Sequence, residues 1–215
     1  MSLHAIIPVK KLDFAKLRLS NFLNKEERIN LSIFMLHDVL KSIASSDEIE
    51  STIVVTPEQE VVNLTKSFGF STILEKEQRG VNFAVKIANE YCLNNGASST
   101  IIIPADIPLI KPGDIKKIVN SSRNTQSVVI VPSKRMDGTN ALLRSPPDVI
   151  KTSYDFSSYT THKKYASEQK IPVSILKLYS VMLDLDLQED LEEFMDKESE
   201  TQTYKFLSEN KPFNQ

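Results

Sequence analysis

The chain reads as a single-domain α/β protein whose sheet is mainly parallel, with some mixed pairing, and is sandwiched by helices. Three observations predict this. Short apolar runs alternate with amphipathic helical stretches along most of the 215 residues, the pattern of strand–helix–strand units. The run Ile101-Ile102-Ile103 is apolar without alternation, as expected of a strand covered on both faces. No linker or internal repeat divides the chain, so residues 1–200 are taken as one domain and 201–215 as a polar, loosely held C-terminal tail.

Taken in order, Leu3 to Val9 is a short apolar strand closed by Pro8. Lys10, Lys11, Lys16 and Arg18 follow directly off its end. Cations there suit a polyphosphate, with arginine gripping oxygens as a fork and lysine acting as a point charge. The same cluster also suits a solvated basic loop, whose exposed charges would add little to stability. Asn24-Lys25-Glu26-Glu27 has the spacing of a capping box. Ile29, Ile33, Leu36, Leu40 and Ile43 then form one apolar helix face, which should cover the first strand. Ser51 to Val55 is the next strand. Thr56-Pro57-Glu58-Gln59 reads as a second capping box with proline at the first helical position, opening a helix that ends before Gly69. Ser71 to Leu74 is a short strand, and a helix runs from about Asn82 to Leu93.

Pro104 ends the isoleucine strand, because proline cannot donate to a sheet ladder. Asp106 therefore lies just beyond the carboxyl end of a central strand, where open parallel sheets bind ligands, and between Pro104 and Pro108. A carboxylate held there suits a metal–phosphate site; it equally suits a loop aspartate capping the next turn or helix. Pro112 opens a helix to about Asn120. Ser127 to Pro132 is another buried strand, Ser133 to Asn140 a polar connection, and Ala141 to Arg144 a strand. A helix follows from about Thr160 to Gln169, then strands at Val173 to Leu178 and Val181 to Leu185. This late clustering of strands predicts an added hairpin or antiparallel edge. Asp186-Leu187-Gln188-Glu189 has capping-box spacing before a helix through Leu191, Phe194 and Met195.

Composition narrows the function. A net charge of -2 supplies no basic field for nucleic acid. Cys92, the only cysteine, excludes an internal disulfide and a multi-cysteine zinc site, and reads as core. No signal-peptide pattern or membrane-length apolar run is present, which predicts a cytoplasmic protein without a membrane partner. The five glycines make neither a dinucleotide-binding fingerprint nor a P-loop, so a nucleotide site here needs another design. Gly80 and Gly138 lie in polar turns beside Asn82 and Asn140, without a routine helix-stopping role.

Six pieces occur in a fixed order: Pro8-Val9-Lys10, Ala15-Lys16-Leu17-Arg18-Leu19, Arg79-Gly80-Val81-Asn82, Pro104-Ala105-Asp106-Ile107-Pro108, Gly138-Thr139-Asn140-Ala141-Leu142 and Ser158 to His162. From about Ile6 to Leu191 the chain thereby resembles the 2-phospho-L-lactate guanylyltransferases, which help make the deazaflavin coenzyme F-420. Broader relatives are the nucleotidyltransferases of the glycosyltransferase-A-like, nucleotide-diphospho-sugar-transferase-like fold. The resemblance implies GTP and a small phosphorylated three-carbon acid as substrates, either 2-phospho-L-lactate or phosphoenolpyruvate, giving a GMP diester and pyrophosphate. It also implies Mg2+ as cofactor.

By the same resemblance, Lys10, Lys16 and Arg18 would hold the triphosphate, with Gly80 and Asn82 near the nucleotide. Asp106 and Asp186 would ligate the metal; Asp186 could also be a plain helix N-cap. Lys16, Arg18 and Asp106 would carry the catalysis, and Thr139, Asn140 and Ser158 would take the acceptor. His162 matches the family histidine without being needed as a base, because an attacking phosphate is already charged. The family glycine expected shortly before Ser158 is missing from Tyr154-Asp155-Phe156-Ser157, which bears on the acceptor rather than on the nucleotide. Two other readings are a related nucleotidyltransferase with another nucleotide or acceptor, such as a sugar phosphate or cofactor precursor, and a nucleotide-binding protein without turnover. The oligomeric state stays open, a homodimer being one option.

Overall fold

The computed structural model describes residues 2–77, 79–122 and 126–210. Its seven-stranded sheet is built outward from β1 (Leu3–Pro8). β2 (Ser51–Thr56) and β4 (Ser99–Ile102) flank β1 and run parallel to it, and β3 (Ser71–Leu74) runs parallel along β2. Ile6 stands level with Ile53 on one side and Ile102 on the other, so the apolar runs sit in register at the centre of the sheet. Beyond β4 come β6 (Thr139–Ser145), β5 (Ser127–Pro132) and β7 (Val173–Ile175), completing the order β3-β2-β1-β4-β6-β5-β7. β6 is antiparallel to both β4 and β5. β5 and β6, consecutive in the chain, form the hairpin that the sequence suggests, but the reversed strand lies inside the sheet and not at an antiparallel edge.

Helices cover both faces. α1 (Lys25–Ala44) and α4 (Pro112–Asn120) pack Leu36, Val39, Leu40, Ile115 and Ile118 against Ala5, Ile7 and Ile101. On the other face α3 (Val81–Asn94) and α5 (Ser158–Glu168) pack Ala84, Val85, Ala88, Cys92 and Tyr159 against Ile6, Ile53 and Ile102. Cys92 is core, as its composition suggested, and burial pushes its thiol up to about 12. No helix among the described residues is long and apolar enough to cross a membrane.

Three local expectations are corrected. Residues 181–185 are not a strand: α6 (Tyr179–Met182) is one helical turn, and the chain beyond it is extended without a ladder. Val181 buries in the core against the sheet, and Leu183 and Leu185 bury in a separate cluster with α1 and the C-terminal helices, an alternation that imitates a strand's period of two. Second, α2 (Gln59–Ser67) has no capping box, because Thr56 belongs to β2; Glu58 instead accepts a hydrogen bond from the Leu12 amide at 3.1 Å. Third, most of the supposed loose tail is ordered. α8 (Gln202–Asn210) lies on α1, and its first turn is capped by buried Asp38, which accepts from the amides of Gln202 and Thr203 and from the Thr203 hydroxyl. The reason is a second apolar stripe on α1, Leu31 and Met35, which buries against Leu207 and against Leu191 and Phe194 of α7 (Gln188–Met195). Residues 211–215 lie outside the described residues. The Asn24–Glu27 capping box is present as expected.

Candidate active site

A cavity of about 730 Å³ opens at the carboxyl ends of β1 and β4. Because β6 runs in reverse, its first residues, Thr139 and Asn140, arrive at the same edge and line the same cavity. The sheet thus brings the basic segment after β1, the turn holding Asp106, the polar connection before β6 and the start of α5 to one opening. Asp184 and Asp186 are added by the extended chain after α6, tied down by the Leu185 amide donating to the Asp106 carbonyl at 3.1 Å.

The basic segment folds as two short 3-10 turns, Leu12–Phe14 and Leu17–Leu19, with Lys16 between them at φ 49° and ψ 40°. A left-handed conformation in a residue other than glycine costs of order 1–3 kcal/mol and persists only when its surroundings enforce it. Buried Leu12 and Leu19 anchor the two turns, and Arg28 donates to the Ala15 carbonyl beside Lys16. The result aims Lys16 inward. Its ammonium lies 2.6 Å from Asp106 Oδ2 and 2.6 Å from Asp186 Oδ1, with the side chain only 9% exposed. Burial would lower its pKa, but the two carboxylates outweigh burial and hold it above the usual lysine value. Lys10 and Arg18 remain exposed at the cavity, Arg18 with Nη1 4.0 Å from Asp186 Oδ2. The three cations assigned to the triphosphate therefore divide: Lys16 is a buried counter-ion, whereas Lys10 and Arg18 are exposed at the cavity.

The acidic side holds more charge than Lys16 neutralises. Burial, then the charges of Asp106 and Asp186, push the Asp184 carboxyl up to about 6. Burial works the same way on Asp186, but Lys16, helped by Arg18 and Arg135, overcomes it and holds this carboxyl below the usual range. Asp186 is not the N-cap of α7. Asp190 accepts from the amides of Asp186 and Leu187, which leaves the Asp186 carboxylate free to meet Lys16. Two carboxylates converging on one ammonium-sized point, beside a third whose pKa is raised, form a donor set that suits a hard divalent cation. Among the described residues no group of three or more acidic, histidine or cysteine side chains is arranged as a ligand set, so phosphate and water oxygens would have to complete it.

Sequence reading missed Asp184 and Arg135. Asp184 and Asp186 alternate with buried Leu183 and Leu185, so their shared face was readable. Arg135, which forks onto Asp190 at 3.0–3.3 Å and lies 3.9 Å from Asp184, gave no signal beyond its place in a polar connection.

The remaining wall is polar and includes the carboxylates Asp137 and Asp155. Asn140 donates to the Val181 and Met182 carbonyls and to Asp184 Oδ1, which spends its amide on joining β6 to the acidic segment. Thr139 Oγ1 lies 3.0 Å from Nδ1 of fully buried His162, and Ser158 is buried at the first turn of α5. Neither Gly80 nor Asn82 lies on the cavity wall, whereas Val81 does. Gly80 opens α3 at φ 90°, and Asn82 braces the opposite loop, accepting from the Tyr154 amide and donating to Asp155. Gly138 is explained by space, since a Cβ there would sit 3.2 Å from Ser133 Cβ. The missing glycine also has a structural counterpart: Ser157, the residue before Ser158, is left-handed at φ 58° and ψ 43°. The backbone keeps the conformation that favours glycine although the side chain does not.

Cations after β1, Asp106 after β4 and Asp186 after α6 meet at the edge of a sheet with one reversed interior strand, an arrangement that suits a nucleotidyltransferase of the nucleotide-diphospho-sugar-transferase-like fold. Solved structures agree on the fold. A protein described as a nucleotide-diphospho-sugar transferase from Desulfovibrio desulfuricans G20 superposes with a TM-score of 0.79 at 17% identity, covering 98% of this chain and 96% of the other. A cytidylyltransferase from Leptospira borgpetersenii superposes with a TM-score of 0.62 at 13% identity, covering 100% and 98%. Within this class, residues 3–211 match the family described as "Guanylyl transferase CofC like", and the chain belongs to that family. Similar chains include the 2-phospho-L-lactate guanylyltransferase of Methanobrevibacter smithii, 34% identical over 97% of this chain and 91% of the relative. The phosphoenolpyruvate guanylyltransferase of Rubrobacter xylanophilus is 32% identical over 89% of this chain and 92% of the relative.

Proposed function

We propose that this protein transfers GMP from GTP to the phosphate of a three-carbon acid, 2-phospho-L-lactate or phosphoenolpyruvate, and releases pyrophosphate, in the making of coenzyme F-420. The observation that carries this reading is the meeting of Lys16, Asp106 and Asp186, from three distant segments, in one cavity opposite Thr139 and Ser158. One wall suits a metal-bound triphosphate and the other a small anion.

In the reaction an acceptor phosphate oxygen attacks the α-phosphorus. A new P–O bond forms, and the bond to the bridging oxygen of pyrophosphate breaks with its electron pair. Lys10 and Arg18 bind the β- and γ-phosphates and take up charge that grows on the leaving group. Asp106 and Asp186 would hold Mg2+, which when bound supplies positive charge at the triphosphate. Lys16 keeps these two carboxylates convergent. Thr139 and Ser158 orient the acceptor by donating hydroxyl hydrogens. No general base is needed, because the attacking oxygen is already anionic. His162 does not serve as one: burial, then Arg144, drop its pKa to about 4, and both ring nitrogens are engaged.

The test is a pyrophosphate-release screen of each nucleoside triphosphate against 2-phospholactate, phosphoenolpyruvate and 3-phosphoglycerate, with and without Mg2+. Release with GTP in preference to ATP, dependent on one acid and on Mg2+, is expected. Equal use of ATP and GTP at subsaturating concentration contradicts the nucleotide assignment. Binding without release for every pair contradicts the enzyme assignment.

A further inference from the structure

The polar wall contains a directed chain of hydrogen bonds. The backbone amide of Ser153 lies 3.0 Å from Nε2 of His162 and can only donate, so Nε2 carries no proton. A neutral imidazole must then carry its proton on Nδ1. Burial, then Arg144, favour the neutral ring, with a pKa down to about 4. The Nδ1–H points at Thr139 Oγ1, 3.0 Å away, and occupies one of its lone pairs. Among the described residues that hydroxyl has no other hydrogen-bond partner, and Thr139 lines the cavity. Its own hydrogen is left unclaimed by any described residue. The opposite tautomer would set two donors, Nε2–H and the Ser153 amide, against each other in a buried place.

We infer that His162 is a positioning residue that makes the Thr139 hydroxyl a donor toward an anionic oxygen of the acceptor, through the relay Ser153 amide to His162 to Thr139 to acceptor. This rests on the proposed placement of the acceptor beside Thr139 and extends it. A threonine hydroxyl left to itself can offer either a lone pair or a hydrogen. With Nδ1–H fixed on one lone pair, the hydroxyl meets a phosphate or carboxylate already turned the right way, and each bond polarises the next. The ring contributes no charge, so the selectivity it enforces is for an oxygen that accepts hydrogen bonds. His162 is held rigidly enough for this: it is 0% exposed and packs edge-on against Tyr154, with ring centroids 5.2 Å apart.

The test is a mutant cycle on steady-state kinetics with the acid that supports pyrophosphate release. Thr139→Val should raise the acceptor KM about 10-fold or more, the scale of losing one hydrogen bond to a charged oxygen. His162→Gln places its amide near Nε2, keeps a partner for Ser153 and loses the Nδ1 donor; it should raise the acceptor KM about 3–10-fold with the GTP KM unchanged. His162→Asn places its amide nitrogen near Nδ1 and should restore a near-wild-type KM. In a Thr139→Val background, His162→Gln should have no further effect on KM. An equal effect in both backgrounds, or an unchanged KM in a folded His162→Gln protein, overturns the relay while leaving the acceptor placement standing. An unchanged KM in Thr139→Val overturns the placement and the relay with it. Nitrogen NMR of the wild-type protein labelled in its three histidines gives a readout independent of activity. His162 should show a protonated Nδ1 and an unprotonated Nε2 at neutral pH, and the reverse pattern overturns the inference.

Discussion

Replacing Lys16 by methionine separates a buried counter-ion from a surface cation. Methionine keeps the length and apolar stem but removes two hydrogen bonds of 2.6 Å, to Asp106 and Asp186, leaving three carboxylates facing one another with Asp184. Removing one partner of a fully buried pair costs about 3–5 kcal/mol. Here Asp106 and Asp186 are 27% and 36% exposed, so water recovers part of the loss and about 2 kcal/mol is expected. In a 215-residue chain that lowers Tm by about 4–8 °C at about pH 7.5. The deficit should shrink by about pH 5, because Asp184, already raised to about 6, protonates and the repulsion among the carboxylates falls. If the carboxylates accept Mg2+, its addition should raise the variant's Tm more than the wild type's. The assay is thermal unfolding followed by circular dichroism, with and without Mg2+. A variant melting within about 1 °C of wild type at both pH values would refute the reasoning and return Lys16 to the solvated loop that its sequence also allows.

Three further outcomes follow from the same geometry. Asp106→Asn should fold and lose turnover by about 10²-fold or more with weaker Mg2+ dependence, and the double variant with Asp186→Asn should lose less than the product of the two; normal turnover across Mg2+ concentrations would make Asp106 a turn-capping residue. Asp184→Asn should stabilise the protein at neutral pH. The folded pKa of Asp184 is raised to about 6, so ionisation costs stability as pH rises through that value, by at most about 3 kcal/mol, and urea unfolding should show the gain vanish below about pH 4. Ser157→Gly should raise stability by up to about 1 kcal/mol, because it relieves a left-handed serine at φ 58°; a loss of stability in urea unfolding would mean that the Ser157 side chain holds the loop.

Much of the frame was legible in the chain. β1, β2, β3, β5, α3 and α4 fall where apolar runs, proline and helix-start signals place them, because those signals act within a few residues. The Asn24 cap is local in the same way, its two hydrogen bonds spanning three residues. The misreadings share a cause. Residues 181–185 copy the period of a strand while burying in two separate clusters, and α8 looks like a polar tail because its partner stripe on α1 lies more than 160 residues away.

The site divides along the same line. Sequence alone determined the chemical kinds available at the sheet edge: cations after Pro8, a carboxylate after Pro104, hydroxyls at Thr139 and Ser158. Family motifs then put these kinds into one reaction. Only the tertiary structure decided their arrangement. It turned Lys16 inward between Asp106 and Asp186 while leaving Lys10 and Arg18 in the open. It added Asp184 and Arg135, and it set His162 between the Ser153 amide and the Thr139 hydroxyl. The physical reason is that charge state and hydrogen-bond direction depend on distances of about 3 Å between groups far apart in the chain, together with the low dielectric that burial creates.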